Sequence, residues 1–272
     1  MRTLLIATVA SLALAPAAAH AAYFVTAVTN VGTDSDGGFV QNGPTSKSAS
    51  VAGGAGQAHV DLATGQAKTY VAFYGPDAPG ADLGSASAVF GDTVTFSGAT
   101  DATFSFNVDG SIYSDPLDPE NTSTFQILVL ATLRVFESGA GATSSNFTSH
   151  PGALVSDTFL LELRNPTDGV FQTVDELLFG STSVLSGGSY DVFASISTSV
   201  AMNGHPAFVE LDFLNTATFG IEVGPGVTYS SDSGVLVGSV TAAVPEPQAW
   251  ALMLAGFFGA GAMIRDRRRA FA

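Results

Sequence analysis

Along most of the chain, apolar and polar residues alternate with a period of two. Thr93 to Ser97 turns Val94 and Phe96 to one side, and Thr103 to Val108 sets Phe104, Phe106 and Val108 against Thr103, Ser105 and Asn107. Ser189 to Val200 keeps the pattern for twelve residues, with Tyr190, Val192, Ala194, Ile196 and Val200 inward and Ser195, Ser197 and Ser199 outward. Successive Cβ atoms of a strand point to opposite faces, so this alternation predicts half-buried β-strands. Thr124 to Glu137 differs: it is apolar throughout Ile127 to Leu130, which predicts a central strand covered on both faces. A hairpin is expected where Ala58 to Leu62 turns through Ala63, Thr64 and Gly65 into Gln66 to Tyr74. Helical spacing lasts no more than about two turns anywhere between the two ends, and Val174 to Phe179 is its best stretch. The fold class expected is all-β, an antiparallel β-sandwich with jelly-roll-like connections. Gly139 to Asn146 reads as the main internal loop or hinge. The phrases Gly91 to Gly98 and Leu214 to Gly220 echo each other faintly, without a fixed period, so residues 22–243 are read as one domain.

The two ends break the alternation. Residues 1–21 place Arg2 before an apolar run from Leu4 to Leu14, and Ala19-His20-Ala21 follows as a small-x-small cleavage site. That order predicts a signal peptide cut by signal peptidase, and hence export. At the other end, Val244-Pro245-Glu246-Pro247 can propagate neither a helix nor a central strand, because its prolines lack the N–H and restrain their predecessors. Ala249 to Ile264 is then free of charge for 16 residues and carries Trp250, the single Trp of the chain, near its start. As a helix it would span about 24 Å against a hydrocarbon thickness of about 30 Å, a short transmembrane segment. Arg265, Arg267, Arg268 and Arg269 form a basic stop on the cytoplasmic side.

This tail, residues 244–272, closely resembles the PEP-CTERM sorting signal of Gram-negative bacteria in its PEPxxWA form, here Pro245-Glu246-Pro247-Gln248-Ala249-Trp250-Ala251. The same tail also goes by the name of an ice-binding-protein C-terminal domain, which implies no activity. Motif, glycine-bearing apolar segment (Gly256, Gly259, Gly261) and arginine cluster match in order, and Asp266 interrupts the arginines without reversing their sign. The resemblance implies recognition by an exosortase, an inner-membrane intermediate, and delivery to the cell surface or extracellular polysaccharide matrix. It covers the last 30 or so residues and implies nothing about the chemistry of residues 22–243.

Charge sharpens the picture of that body. The chain carries 9 Lys and Arg against 24 Asp and Glu, and between residues 22 and 243 only Lys47, Lys68, Arg134 and Arg164 face 22 acids, a formal charge of −18. Such a field repels phosphodiester backbones, so nucleic acid is excluded as a partner. The absence of Cys removes disulfides, thiol catalysis and Cys-based metal centres. Neither the G-x-S-x-G elbow nor a His-Glu-x-x-His helix occurs, and His59, His150 and His205 lie in hairpin or turn surroundings. Glu210 and Asp212 alternate with Val209, Leu211 and Phe213, so one strand face holds both carboxylates, the best pair for glycoside hydrolysis. The clustered acidic residues offer a metal hard oxygen ligands, which points to calcium: Asp34 and Asp36 open one acidic turn, and Asp115, Asp118 and Glu120 cluster around Pro116 and Pro119 in another. Turn chemistry explains the same residues without a metal. The expectation is a non-enzymatic surface or matrix protein with a structural or adhesive role and no cofactor beyond calcium. A carbohydrate-binding module and, less favoured, a secreted glycosidase are the alternatives.

Overall fold

The structure, a computed structural model, describes residues 23–40, 44–51, 53–74, 83–116, 124–164, 169–203 and 208–236. The cleavage site Ala19 and Ala21, the sorting motif Pro245, Glu246, Pro247 and Trp250, the apolar segment 249–264 and Arg265, Arg267, Arg268 and Arg269 lie outside these residues, as do Asp118, Glu120 and His205.

In chain order the strands are β1 (Phe24–Val31), β2 (Asp34–Val40), β3 (Thr45–Val51), β4 (Gly54–Asp61), β5 (Gln66–Tyr74), β6 (Leu83–Phe96) and β7 (Thr100–Ser114). After them come β8 (Thr124–Glu137), β9 (Val155–Arg164), β10 (Val170–Val184), β11 (Ser189–Asn203), β12 (Phe208–Val223) and β13 (Tyr229–Ser231). No helix occurs among the described residues. One sheet runs β2-β1-β6-β11-β8-β9, with β13 beside β6, and the other runs β10-β7-β12-β5-β4-β3. All pairings are antiparallel.

The order follows from a nested ribbon. β8 pairs with β9, β7 with β10, β6 with β11 and β5 with β12, and successive pairs fall alternately in the two sheets. This is the pairing pattern of a jelly roll, widened by β1 and β2 on one sheet and by β3 and β4 on the other. Strands from the two halves of the sequence are interleaved, so the faint echo between Gly91–Gly98 and Leu214–Gly220 does not mark two separate halves.

The inward phase of the alternation forms one core shared by both sheets. Phe90, Phe96, Phe104, Phe106, Leu133 and Phe213 are fully buried in it. Facing rings meet edge-on, Phe90 with Phe106 at 6.3 Å and 77°, Phe96 with Phe104 at 6.3 Å and 87°, the arrangement that aligns a positive ring edge with a negative face. The hairpin between β4 and β5 turns as expected, and Gly65 supplies the positive φ of 64° that its turn requires.

Three local expectations change. Val174 to Phe179 is not helical but lies within β10: Val174 and Leu178 point inward, whereas Leu177 and Phe179 stand on the outer face at 55% and 60% exposure. The apolar outward residues blur the period of two, which is why the spacing mimics a helix turn. Gly139 to Asn146 is a loop but not a hinge, because it is clamped onto the outer face of the first sheet. There Phe147 stacks on Phe193 at 5.1 Å and 14°, and Phe24, Phe136 and Ala142 complete a second apolar cluster. The same cap buries the start of the outward face of β11, where Ser195 is only 6% exposed. Gly91 lies beneath this cluster; a Cβ there would come within 2.5 Å of Phe24 and 2.9 Å of Phe193, so only hydrogen fits. Along β8 the outward Leu128 and Leu130 are only half-buried, whereas Thr132 and Phe136 farther along the same face are buried, so the double cover expected over Ile127 to Leu130 lies instead toward the end of the strand.

Candidate functional site

The acidic residues fall into two structural roles, and the first closes the sides of the sandwich. β3 is the outermost strand of its sheet, so the N–H groups on its free side lack a neighbouring strand. Ser50 N–H donates to Asp34 Oδ2 at 2.8 Å, and Ser48 N–H donates to Asp36 Oδ2 at 3.4 Å. Lys47 Nζ pairs with Asp36 Oδ1 at 3.1 Å, and hydrogen bonding to that ammonium is the main reason why the Asp36 carboxyl sits below its usual range. The far side repeats the device: Phe179 N–H of β10 donates to Asp157 Oδ2 of β9 at 3.0 Å. Asp34 and Asp36 thus act as a substitute strand for β3 in the structure, and turn spacing alone cannot distinguish that from an open ligand loop.

The second role is internal anchoring, which the sequence reading missed. Asp92 is 1% exposed. Its Oδ1 accepts the N–H of Thr93 at 2.8 Å and of Ser233 at 3.3 Å, and its Oδ2 accepts the Ser233 hydroxyl at 2.5 Å. Burial raises the Asp92 carboxyl above the ordinary aspartate range, and these donors oppose that rise. Asp191, also 1% exposed, lies on the opposite face of the same sheet, where Oδ1 accepts the Thr93 hydroxyl at 2.7 Å and Oδ2 accepts Gly139 N–H at 3.4 Å. One aspartate therefore ties down the segment after β13, the other the loop after β8. The signal was present: Asp92 falls in the phase of Phe90, Val94 and Phe96, where a carboxylate is out of place unless it is hydrogen-bonded.

A cavity of about 310 Å³ opens beside β3 and β4, lined by Ser46, Lys47, Gln57, His59, Leu214 and their neighbours. Ser46 Oγ lies 2.6 Å from His59 Nδ1, a nucleophile-to-base distance. No carboxylate accepts a hydrogen bond from the other imidazole nitrogen among the described residues, so the third member of such a relay is missing there. His150 packs edge-on against Phe136 at 5.4 Å within the loop cap, a packing role rather than a chemical one.

The remaining predicted carboxylates lie on the outer face of the second sheet or beside it. Glu210 and Asp212 share that face of β12, while Val209, Leu211 and Phe213 are buried on the other. Tyr70 OH donates to Glu210 Oε1 at 3.0 Å, and Asp212 Oδ1 accepts Leu214 N–H at 3.0 Å, capping the bulge where β12 changes register against β5 and β7. Asp115 accepts the Tyr113 hydroxyl at 2.7 Å, and this bond raises the pKa of the phenol. In the same face Asp109 and Asp175 stand opposite each other on β7 and β10; burial first, and then the Asp175 charge, raise the Asp109 carboxyl. Among the described residues no three His, Asp or Glu side chains converge as a metal site.

No family model matches the chain, and no curated protein matches it. Among solved structures, the enzymatically active domain of bacteriophage CBA120 tailspike protein 4 aligns at 13% identity and a TM-score of 0.21. The alignment covers 66% of this chain and 19% of that one, so the chain spans about a fifth of that protein's length. Nothing about activity is drawn from a likeness this slight.

Proposed function

We propose that this chain is an exported module that leaves its signal peptide at Ala21, is held in the inner membrane by its C-terminal segment, and is processed by an exosortase at the Pro245-Glu246-Pro247 tail. Residues 22–243 then remain at the cell surface or in the extracellular polysaccharide matrix as a non-catalytic structural or adhesive domain. The observation that carries this reading is the ordered run from Val244 to Ala270: a proline-bounded motif, a charge-free segment opened by Trp250, and an arginine stop. A body with formal charge −18 suits it, since it stays soluble outside the cell without disulfides. Engagement of Glu210 by Tyr70 and of Asp212 by its own bulge favours a non-catalytic body over a glycosidase.

The test compares full-length chain in isogenic Gram-negative hosts with and without an exosortase. The expected result is a shortened, surface-released species in the first and an uncut, membrane-retained species in the second, with Glu246→Ala behaving in the first host as wild type does in the second. Identical size and location in both hosts would overturn the proposal.

A further inference from the structure

The outer face of the second sheet holds a row of rings that sorting does not use. Across β10, β7 and β12, Phe171 is paired with Tyr113, and Tyr113 with Glu210; one row along, Thr173, Ser111, Asp212 and Tyr70 are paired in turn across β10, β7, β12 and β5. Phe171 is 76% exposed and, with Leu177 and Phe179, is one of three large apolar side chains on the outer face of β10. The rings of Tyr113 and Phe208 lie 5.5 Å apart at 45°, and so extend the apolar strip onto β12. At about 4.8 Å per strand, the strip and its flanking polar row cross four strands in about 14 Å.

The charged groups along these rows are all carboxylates. Tyr113 donates to Asp115, and Tyr70 donates to Glu210, so the phenol protons are already committed and each carboxylate keeps acceptor capacity for a further donor. Neither row contains a Lys, Arg or His. A ligand that suits this surface offers apolar C–H faces to the rings and hydroxyl donors along its edges, and bears no negative charge. A polyanion is repelled, and a divalent cation finds no group of three carboxylates or histidines among the described residues.

We propose that this face binds a neutral polysaccharide, with sugar rings stacked on Phe171 and Tyr113 and sugar hydroxyls donating to Glu210 and Asp212. The proposal rests on the matrix reading for the source of the ligand, and it deepens that reading by naming the surface and the ligand class.

Native affinity electrophoresis tests it with the full chain, purified in mild detergent and run through gels containing soluble β-glucan, xylan, galactomannan or polygalacturonate. Retardation is expected by at least one neutral polymer and not by polygalacturonate. Phe171→Ala should weaken binding about tenfold and Glu210→Gln about fivefold, with melting temperatures unchanged because neither side chain is in the core. Leu160→Ala, on the outer face of the other sheet and 58% exposed, should bind as wild type does. Silence with every neutral polymer, equal retardation of Phe171→Ala and wild type, or stronger retardation by polygalacturonate would each overturn the proposal. Binding without exosortase processing would sink the sorting reading alone, and processing without binding would sink this one alone.

Discussion

Replacing Asp92 separates the two opposing effects of a buried carboxylate. In the native structure it is 1% exposed and accepts two N–H groups and one hydroxyl, from Thr93 and Ser233. Asp92→Ala removes the acceptor and leaves those donors in a site that admits little water, at a cost of about 1–3 kcal/mol for each donor left unsatisfied; with partial relaxation of the Ser233 turn, about 3 kcal/mol in all is expected. Asp92→Asn keeps an oxygen for the N–H groups and removes the charge, so its stability at neutral pH should stay within about 1 kcal/mol of wild type. The two variants also differ in pH dependence. Because burial raises the native carboxyl above 3.8, the folded chain holds this proton more tightly than the unfolded chain does. The contribution of Asp92 to stability therefore falls as pH rises from 3.8 through the raised native value, and is flat above it. Asp92→Asn removes that fall. Urea unfolding followed by circular dichroism at several pH values between 4 and 8, with hydrogen exchange at Ser231 to Leu236, measures both effects. Asp92→Ala within 0.5 kcal/mol of wild type, or an unchanged pH slope in Asp92→Asn, would refute the reasoning.

Asp36 titrates with the opposite sign: Lys47 lowers its carboxyl, so its contribution is present above pH 3.8 and is lost as pH falls through the lowered native value. Exchange protection at Ser48 N–H should therefore persist through the ordinary aspartate range and weaken only on further acidification, and Asp36→Asn should abolish that acid sensitivity. Phe147→Ala removes the ring stacked on Phe193, which should cost about 3 kcal/mol and open the segment between Gly139 and His150 to limited proteolysis while the strand signal in circular dichroism persists. Gly91→Ala drives a methyl into Phe24 and Phe193 and should destabilise by about 1–3 kcal/mol, seen as a lowered melting temperature. Since Asp34 and Asp36 already serve Ser50, Ser48 and Lys47, replacing both by Asn should leave any response of the melting temperature to millimolar calcium unchanged.

Strand content, the β4–β5 hairpin and the inward phase of the segments read in β6, β7, β11 and β12 were legible in the sequence, because side-chain alternation is a local consequence of an extended backbone. Val174 to Phe179 misled because apolar residues on an outward face break the alternation, and the reason for Leu177 and Phe179 to face out lies in neighbours far along the chain. The hydrogen bonds from β3 to Asp34 and Asp36 were not legible, because only the docked position of β3 reveals the N–H groups they accept.

The amino-acid order by itself determined that the body is an acidic β protein, since charge and side-chain alternation are written in adjacent residues. Tertiary structure alone decided the nested pairing of β5 to β12, the roles of Asp92 and Asp191 as internal anchors, and the meeting of Phe171, Tyr113, Glu210 and Tyr70 on one surface. Those residues come from four strands separated by up to 140 positions between Tyr70 and Glu210, and only closure of the sheet, driven by burial of its other face, brings them together.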